Sequence, residues 1–375
     1  MLQVQAKKIL KPLTTFKIGG PATVYLEIRE AEQIAEAFAL AEHLQLPTLV
    51  LGGGSNLLVS DRGFDGVVLH VALRGLEIVA ETAEKALLSV GSGEVWDDVV
   101  KFAVERNLWG IENLSRIPGQ TGALAVQNVG AYGAEASQVI KSVTAFDRKT
   151  NTIVDLAKEE CKFAYRTSIF NTTHKARYVI LETYLELSKH PKPLLDYPDL
   201  RSRFSAKPNV TISEIRKAII EIRDTKFPFP AESVEGNAGS FFKNSLLTEA
   251  SYLGLVQKFT EGLPEHLEKL QSIRHRFPER SGIKIPSAFI FEACGLKGFR
   301  RGDVMLNPSQ PVVVLNVTGT ASATEVLALV AEVRAIVKAK TGLHLFAEPE
   351  LIGFTKQELT AAGFNDLEIE RYLGH

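Results

Sequence analysis

The chain predicts an α+β fold made of several units in succession. Three observations predict it: a β-α-β pattern near the N-terminus, a following block of strand-like runs, and a helix-rich final part beyond a proline-dense break. Its 375 residues exceed one ordinary core, and about 100–200 residues per domain points to two or three domains. In the first block, residues 22–28 (Ala-Thr-Val-Tyr-Leu-Glu-Ile) alternate as a strand does, and Ile34, Ala37, Phe38 and Ala41 share one helical face within 30–44. Leu46 to Leu51 reads as a short buried strand. It runs into Gly52-Gly-Gly-Ser-Asn56 and leaves through Leu57-Leu-Val59, so a glycine turn joins two apolar segments.

Strand-like runs at 66–71, 76–80 and 86–90 lead to Gly91-Ser-Gly-Glu-Val-Trp96, which opens an amphipathic helix through Val99, Phe102 and Ala103. From Ile117 to Gly133, four glycines and no charged residue make a poor solvent loop and a good wall for a bulky ligand. Strands at 139–147, 151–156 and 178–187 complete a second α+β unit. Three prolines in 190–199 mark an excursion with a domain boundary nearby. A helix over 213–225 begins the last unit, which continues with helices near 247–259, 287–294 and 321–340 and strands near 312–317 and 343–346. The segment 355–375 is polar and helix-prone, and carries no identifiable chemistry.

Composition narrows the function classes. With 45% hydrophobic and 23% charged residues and a formal net charge of −1, no general electrostatic case exists for binding nucleic acid or an anionic membrane. Any anion must be met locally. Cys161 and Cys294 form no CxxC, the eight histidines show no metal-ligand spacing, and HExxH is missing, so neither a disulfide framework nor a metal is expected. The N-terminus carries charges where a signal peptide needs an apolar stretch, and no apolar run reaches the roughly 18 residues of a membrane span; a cytoplasmic protein is the expectation.

The glycine loops at 52–54, 91–93 and 117–133 could present backbone N–H groups to an anion such as a pyrophosphate. None contains GxxxxGK[ST] or GxGxxG, and no GxSxG nucleophile elbow occurs. In Gly236-Asn-Ala-Gly-Ser-Phe-Phe-Lys-Asn244, two glycines bracket a segment that a ligand could press against, and Phe241 and Phe242 would pin Ser240 on a strand. That arrangement suits a proton donor beside a ligand; a hairpin turn into a buried strand is the plain alternative.

Taken in order, Gly52 to Leu58, Ile117-Pro-Gly119 with Gln127 to Gly133, Tyr165-Arg-Thr-Ser-Ile-Phe170, Arg223-Asp-Thr-Lys226, Gly236 to Asn244 and Glu348-Pro-Glu350 resemble one family, the type I UDP-N-acetylenolpyruvoylglucosamine reductases (MurB). The resemblance spans about residues 12 to 352, and six motifs in order are far more specific than one glycine loop. It implies a two-subdomain FAD-binding unit of the vanillyl-alcohol-oxidase (PCMH) type and a C-terminal α+β substrate domain. The divisions expected are 1–72 and 73–205 for the FAD-binding subdomains (the whole unit about 18–190), 206–352 for the substrate domain and 353–375 for a polar helical tail.

The resemblance further implies that FAD is held by Gly53, Gly54, Ser55, Asn56 and Leu57 and by Gly119, Gly122, Asn128 and Gly130. The reaction implied is reduction of UDP-N-acetylglucosamine enolpyruvate to UDP-N-acetylmuramate, with NADPH as electron source and FAD as relay. Hydride reaches C3 from flavin N5, and Ser240 protonates C2. Arg166 suits the charge that develops on the substrate carboxylate, because a guanidinium stays charged and its fork matches a carboxylate. Glu350 is placed, by family position alone, beside the same centre, where a protonated carboxyl could hydrogen-bond the enolate, its pKa being undetermined by sequence; Glu348 would share its face on a regular strand. Tyr197, Lys226 and Asn244 complete the substrate pocket, Lys226 as a point charge for the diphosphate. At Leu306-Asn-Pro308 the chain departs from a histidine-bearing segment of many members. A monomer is expected. Two other readings are a sugar or alcohol oxidase of the same flavoprotein superfamily and a non-catalytic flavin-binding protein.

Overall fold

A computed structural model describes residues 2–226, 229, 232–276, 278–279 and 282–373. The first unit contains β1 (Val4–Ile9), β2 (Pro21–Ile28), α1 (Gln33–His43), β3 (Thr48–Leu51), β4 (Leu57–Val59) and β5 (Phe64–Val71). Its sheet has the order β1-β2-β5-β3, with β1 antiparallel to β2 and the other pairs parallel. Helix α1 forms the β2-to-β3 crossover. Ile34, Ala37 and Ala41, spaced along one side of the helix, bury against Leu26, Ile28, Val67 and Leu69 of the sheet. The segment expected as a buried strand is instead the sheet's edge: β3 pairs on one side only, and Val50 is exposed.

The second unit comprises β6 (Leu76–Glu81), β7 (Lys85–Gly91), α2 (Trp96–Glu105), α3 (Gly122–Val126), β8 (Gly130–Ala131), β9 (Ala134–Glu135), β10 (Ile140–Asp147), β11 (Thr152–Ala157) and β12 (Tyr178–Ser188). Five of these strands form an antiparallel sheet of order β11-β10-β12-β7-β6. Both faces of this sheet are covered. Leu88, Val90, Val143, Ala145 and Leu185 pack with Val99, Val100 and Ala103 of α2, whereas Phe146, Val179 and Leu181 join the core under α1. One sheet thus welds the first two units together.

The rest of the chain runs through α4 (Pro198–Phe204), α5 (Ile212–Lys226), β13 (Ser245–Leu247), α6 (Glu249–Gly262), α7 (Leu267–Arg276), β14 (Pro278–Glu279), β15 (Gly282–Ile285), α8 (Ser287–Ala293), β16 (Arg300–Arg301), β17 (Val304–Leu306), β18 (Val314–Asn316), α9 (Ala323–Thr341), β19 (Glu350–Ile352), α10 (Lys356–Ala361) and α11 (Asp366–Leu373). Helix α5, expected to begin the last unit, packs on the second one. Its apolar stripe Ile212, Ile215, Ala218 and Ile219 enters the core of the five-stranded sheet, and Arg216 makes a two-pronged bond, 2.8 and 2.9 Å, with Asp97 of α2. The strand expected at 343–346 is extended chain without a regular ladder; only Ala347 bridges to Phe242.

Two ties join the ends of the molecule. Asp61 of the first unit accepts hydrogen bonds from the first amides of α9, Ala323 (2.7 Å) and Thr324 (3.0 Å), where the helix dipole favours a carboxylate. Strand β19 pairs in parallel with β4, placing Glu350 opposite Leu57.

The tail is not the polar appendage that its composition suggests. Phe354, Leu359, Ala362, Phe364, Ile369 and Tyr372 are buried in the C-terminal core, and Gly363 (φ +75°) breaks the helical period that would have revealed them as one stripe. Glu368 of α11 and Arg334 of α9, only 7% and 6% exposed, form a 2.7 Å ion pair. Arg334→Ala is expected to destabilise the protein by about 3 kcal/mol, measured by denaturant unfolding, because it strands a buried carboxylate. His344 Nε2 lies 2.8 Å from the same carboxylate.

Candidate active site

Two glycine loops meet at the centre of the site. Gly53 lies so close to the second loop that a Cβ there would stand 2.8 Å from Gly119 Cα, and one on Gly119 (φ +116°) would stand 2.6 Å from Ser55 Oγ. Gly54 (φ +58°) has the Leu13 carbonyl where its Cβ would be. Backbone approaching this closely requires these residues to be glycine. Gly53→Ala is therefore expected to reduce bound flavin severalfold, read as the ratio of visible to protein absorbance in the purified protein.

Polar atoms around these loops lack protein partners. Gln120 Oε1 and Ser92 Oγ are buried and unbonded; Gly52 lies against Gln120, and Ser92 lies against Gly122. Buried polar atoms ordinarily have partners, so two orphans on a glycine-lined wall fit a polar group bound between the loops. Neither residue stands out in the sequence: a lone Gln or Ser carries no periodicity, and only burial exposes the missing bond.

The other residues expected at the cofactor have distinct surroundings. Asn56 donates to Gln127 Oε1 (3.2 Å), and its carbonyl accepts from the amide of Glu350 (3.0 Å), which ties the first loop both to the second loop and to β19. Gly122 donates its amide to Ser92 O (2.9 Å). Asn128 is fully engaged within the protein: its amide nitrogen donates to Glu135 Oε2 (2.9 Å) and Ala164 O (3.1 Å), and its oxygen accepts from Ser137 N (2.9 Å). It braces the wall. The carbonyl of Gly130 accepts from Arg166 Nη2 at 2.9 Å, which links the second loop to the catalytic candidates.

Arg166 sits in the left-handed region (φ +55°), a conformation costing of order 1–2 kcal/mol for a residue with a Cβ. A tight turn with paired Ala164–Thr167 hydrogen bonds (3.0 and 3.1 Å) enforces it, and Asn171 donates to the Arg166 carbonyl (3.1 Å). The guanidinium is thereby fixed, with Nε 3.3 Å from Glu348 Oε1. Glu348 donates its amide to Phe241 O (2.9 Å), and Lys243 donates its own to Phe346 O (2.9 Å), so the Ser240-bearing segment lies directly alongside 346–348. On its other side Ser240 bridges to Val313, while Phe241 and Phe242 are buried in the core as anchors.

The structure separates the two glutamates that sequence geometry left together. Glu350 is gripped by Arg371 (2.8 Å) and Lys175 (3.2 Å); Glu348 faces Arg166. Their protonation differs accordingly. Burial pushes the Glu348 carboxyl above the ordinary carboxylate range, against Arg166 and Lys243. Burial acts the same way on Glu350, but Lys175 and Arg371 outweigh it and leave its pKa lowered.

The residues expected at the substrate fall in two places. Tyr197 stacks edge-on against Tyr132, with centroids 5.1 Å apart, and Lys226 lies 5.4 Å from the Tyr132 ring and 2.8 Å from Asp199. Burial disfavours the Lys226 charge, yet the bond to Asp199 and the nearby Tyr132 raise its pKa overall. Asn307, inside the segment that departs from many family members, donates to the Lys226 carbonyl (2.8 Å). Asn244 belongs to the opposite side, 3.4 Å from the Tyr165 hydroxyl, with its oxygen accepting from Ser287 N (3.1 Å).

Paired glycine loops, with an arginine, a serine segment and an acid gathered beside them, are the arrangement that the resemblance implies for an FAD-dependent oxidoreductase, and the family match gives that class. Residues 22–157 match the FAD binding domain family, and residues 230–352 match the UDP-N-acetylenolpyruvoylglucosamine reductase C-terminal domain. The reductase of that name from Pseudomonas aeruginosa is 36% identical over 353 residues, covering 93% of this chain and 99% of that protein. Its counterpart from Neisseria gonorrhoeae is 35% identical, with 93% and 97% covered. The solved MurB from Thermus caldophilus shares the fold, at a TM-score of 0.63 and 22% identity over 94% of this chain and 99% of that one. The chain belongs to the UDP-N-acetylenolpyruvoylglucosamine reductase family. It is an FAD-containing oxidoreductase with NADPH as reductant. Among the described residues no helix is long and apolar enough to cross a membrane.

Proposed function

We propose that this chain reduces UDP-N-acetylglucosamine enolpyruvate to UDP-N-acetylmuramate for peptidoglycan synthesis, as a cytoplasmic monomer that binds no nucleic acid. The observation that carries the reading is the fixed Arg166–Glu348 pair alongside the Ser240 segment, tied to the second glycine loop through the Gly130 carbonyl. Gly53, Gly54, Ser55, Gly119 and Gly122, with Gln120 and Ser92, would hold FAD, which supplies to C3 the hydride taken from NADPH.

Hydride addition at C3 leaves negative charge at C2 and on the adjacent carboxylate. The Arg166 guanidinium, held by the Gly130 carbonyl, meets that carboxylate without reorganising. Ser240 gives its hydroxyl proton to C2; an alcohol is a weak acid, but an enolate-like carbon is a strong base, so the transfer runs downhill. Glu350, expected from the sequence, and Glu348, beside Arg166, are the two carboxyls that can hydrogen-bond the developing enolate; burial raises the pKa of Glu348, and Lys175 with Arg371 lowers that of Glu350. Tyr197 and Lys226 approach the nucleotide half of the substrate from the excursion side, where the diphosphate would take the place of Asp199 on Lys226. Asn244 closes the other side.

The test is anaerobic. The flavin should bleach with NADPH and recolour on addition of UDP-N-acetylglucosamine enolpyruvate. Bleaching without recolouring points to a different flavin oxidoreductase, and a protein that takes up no FAD overturns the reading.

A further inference from the structure

A cavity of about 720 Å³, within the size range of small-molecule sites, opens between β13, α6, the segment 341–347 and α11. It shares Asn244 with the substrate side, but none of its lining residues comes from the glycine loops, the Arg166 turn or the excursion. Glu368, Arg371 and Tyr372 line it from beyond residue 352, where the match to the C-terminal domain family ends. The tail therefore builds a hollow that the matched domain alone does not supply.

The charges around this cavity are unbalanced. Lys243 and Lys258 both line it, and neither forms an ion pair or a side-chain hydrogen bond among the described residues. Glu368, the one acid in the lining, is spent elsewhere: Arg334 (2.7 Å), His344 (2.8 Å) and the Asn365 amide (3.2 Å) occupy its oxygens. Burial works against the Lys243 charge and Arg371 adds to that, so a bound anion would relieve both. The remaining walls are apolar. Leu255, Leu343 and Tyr372 are buried, whereas the Phe346 ring is 47% exposed, held edge-on by His344 with centroids 4.9 Å apart.

We propose that this cavity binds a nucleoside phosphate, with Lys243 and Lys258 meeting the phosphate and Phe346 offering its face to the base. Two unpaired lysines alone would suit any small anion. The exposed aromatic ring beside them adds a flat surface on which a base stacks, and the volume exceeds what a bare phosphate fills. The site is separate from the UDP-sugar pocket and goes beyond the reaction proposed above.

The experiment titrates ADP, pyrophosphate and adenosine into the flavin-loaded protein by isothermal calorimetry, in wild type, Lys258→Glu, Phe346→Ala and Lys226→Ala. Stacking tolerates any base, so ADP represents the class. We expect an ADP-binding component that survives Lys226→Ala and weakens by about tenfold or more in Lys258→Glu and in Phe346→Ala. Pyrophosphate should bind about tenfold more weakly than ADP, and adenosine more weakly still. Lys258 is exposed on α6, so Lys258→Glu should keep its flavin content and its bleaching by NADPH, which shows that the variant is folded. Loss of the ADP component in Lys226→Ala places the ligand in the substrate pocket and overturns the proposal. A component indifferent to Lys258→Glu, or none at all, overturns it too. Pyrophosphate binding as tight as that of ADP takes the base off Phe346 and the nucleotide assignment with it.

Discussion

Ser240→Ala is expected to leave bleaching of the flavin by NADPH within about twofold of wild type and to slow recolouring by about 10²–10⁴-fold, the usual worth of a positioned general acid. The asymmetry arises because a proton is needed only after hydride has reached the substrate. Ser240 is well placed to be separable from the fold: it is half-buried between two bridges, and the buried Phe241 and Phe242 anchor its segment whether or not the hydroxyl is present. Substrate binding should change little. Equal loss of both half-reactions would remove Ser240 from proton transfer and return it to the hairpin-turn role considered from the sequence. Measurement in deuterated water adds a second reading, since the step lost in Ser240→Ala should be the one that is isotope-sensitive in wild type.

The second large effect separates Glu350 from Glu348. Glu350→Gln is expected to slow recolouring by about 10²–10³-fold, because it removes a preorganised carboxyl at the developing charge. Glu348→Gln should reduce the same rate far less, through loss of the ion pair with Arg166 alone. The pH dependence of stability has a definite sign at Glu348, whose folded pKa is raised by burial. Such a carboxyl contributes stability that is lost as pH climbs from the unfolded value through the folded one. Glu348→Gln should therefore be no less stable than wild type at neutral pH, and thermal unfolding distinguishes a lost contact from a damaged fold. A larger loss in Glu348→Gln than in Glu350→Gln would move the role away from the residue expected from the sequence.

The sequence by itself determined the kind of protein. Six motifs in order defined the family, and that resemblance, with P-loop and Rossmann patterns missing, implied a phosphate-binding wall of another kind. Periodicity located α1, α2, α5 and the strands of the five-stranded sheet, since burial of one face imposes a repeat that the chain must carry. Tertiary structure decided what depends on contacts between distant segments. Periodicity reveals that α5 has an apolar face but not which core receives it; Asp97 and the second unit's core do. Spacing puts Glu348 and Glu350 two residues apart on one face of an ideal strand. The ladder begins only at Glu350, so the regular alternation fails; burial raises the Glu348 pKa against Arg166, whereas at Glu350 Lys175 and Arg371 outweigh burial and lower it. Gln120 and Ser92 became visible only as buried atoms without partners, and Arg371 only as a cation that the tail's hidden apolar residues carry to the site. A pKa, an orphaned oxygen and a long-range ion pair are properties of an environment, and an environment is assembled only when the chain folds.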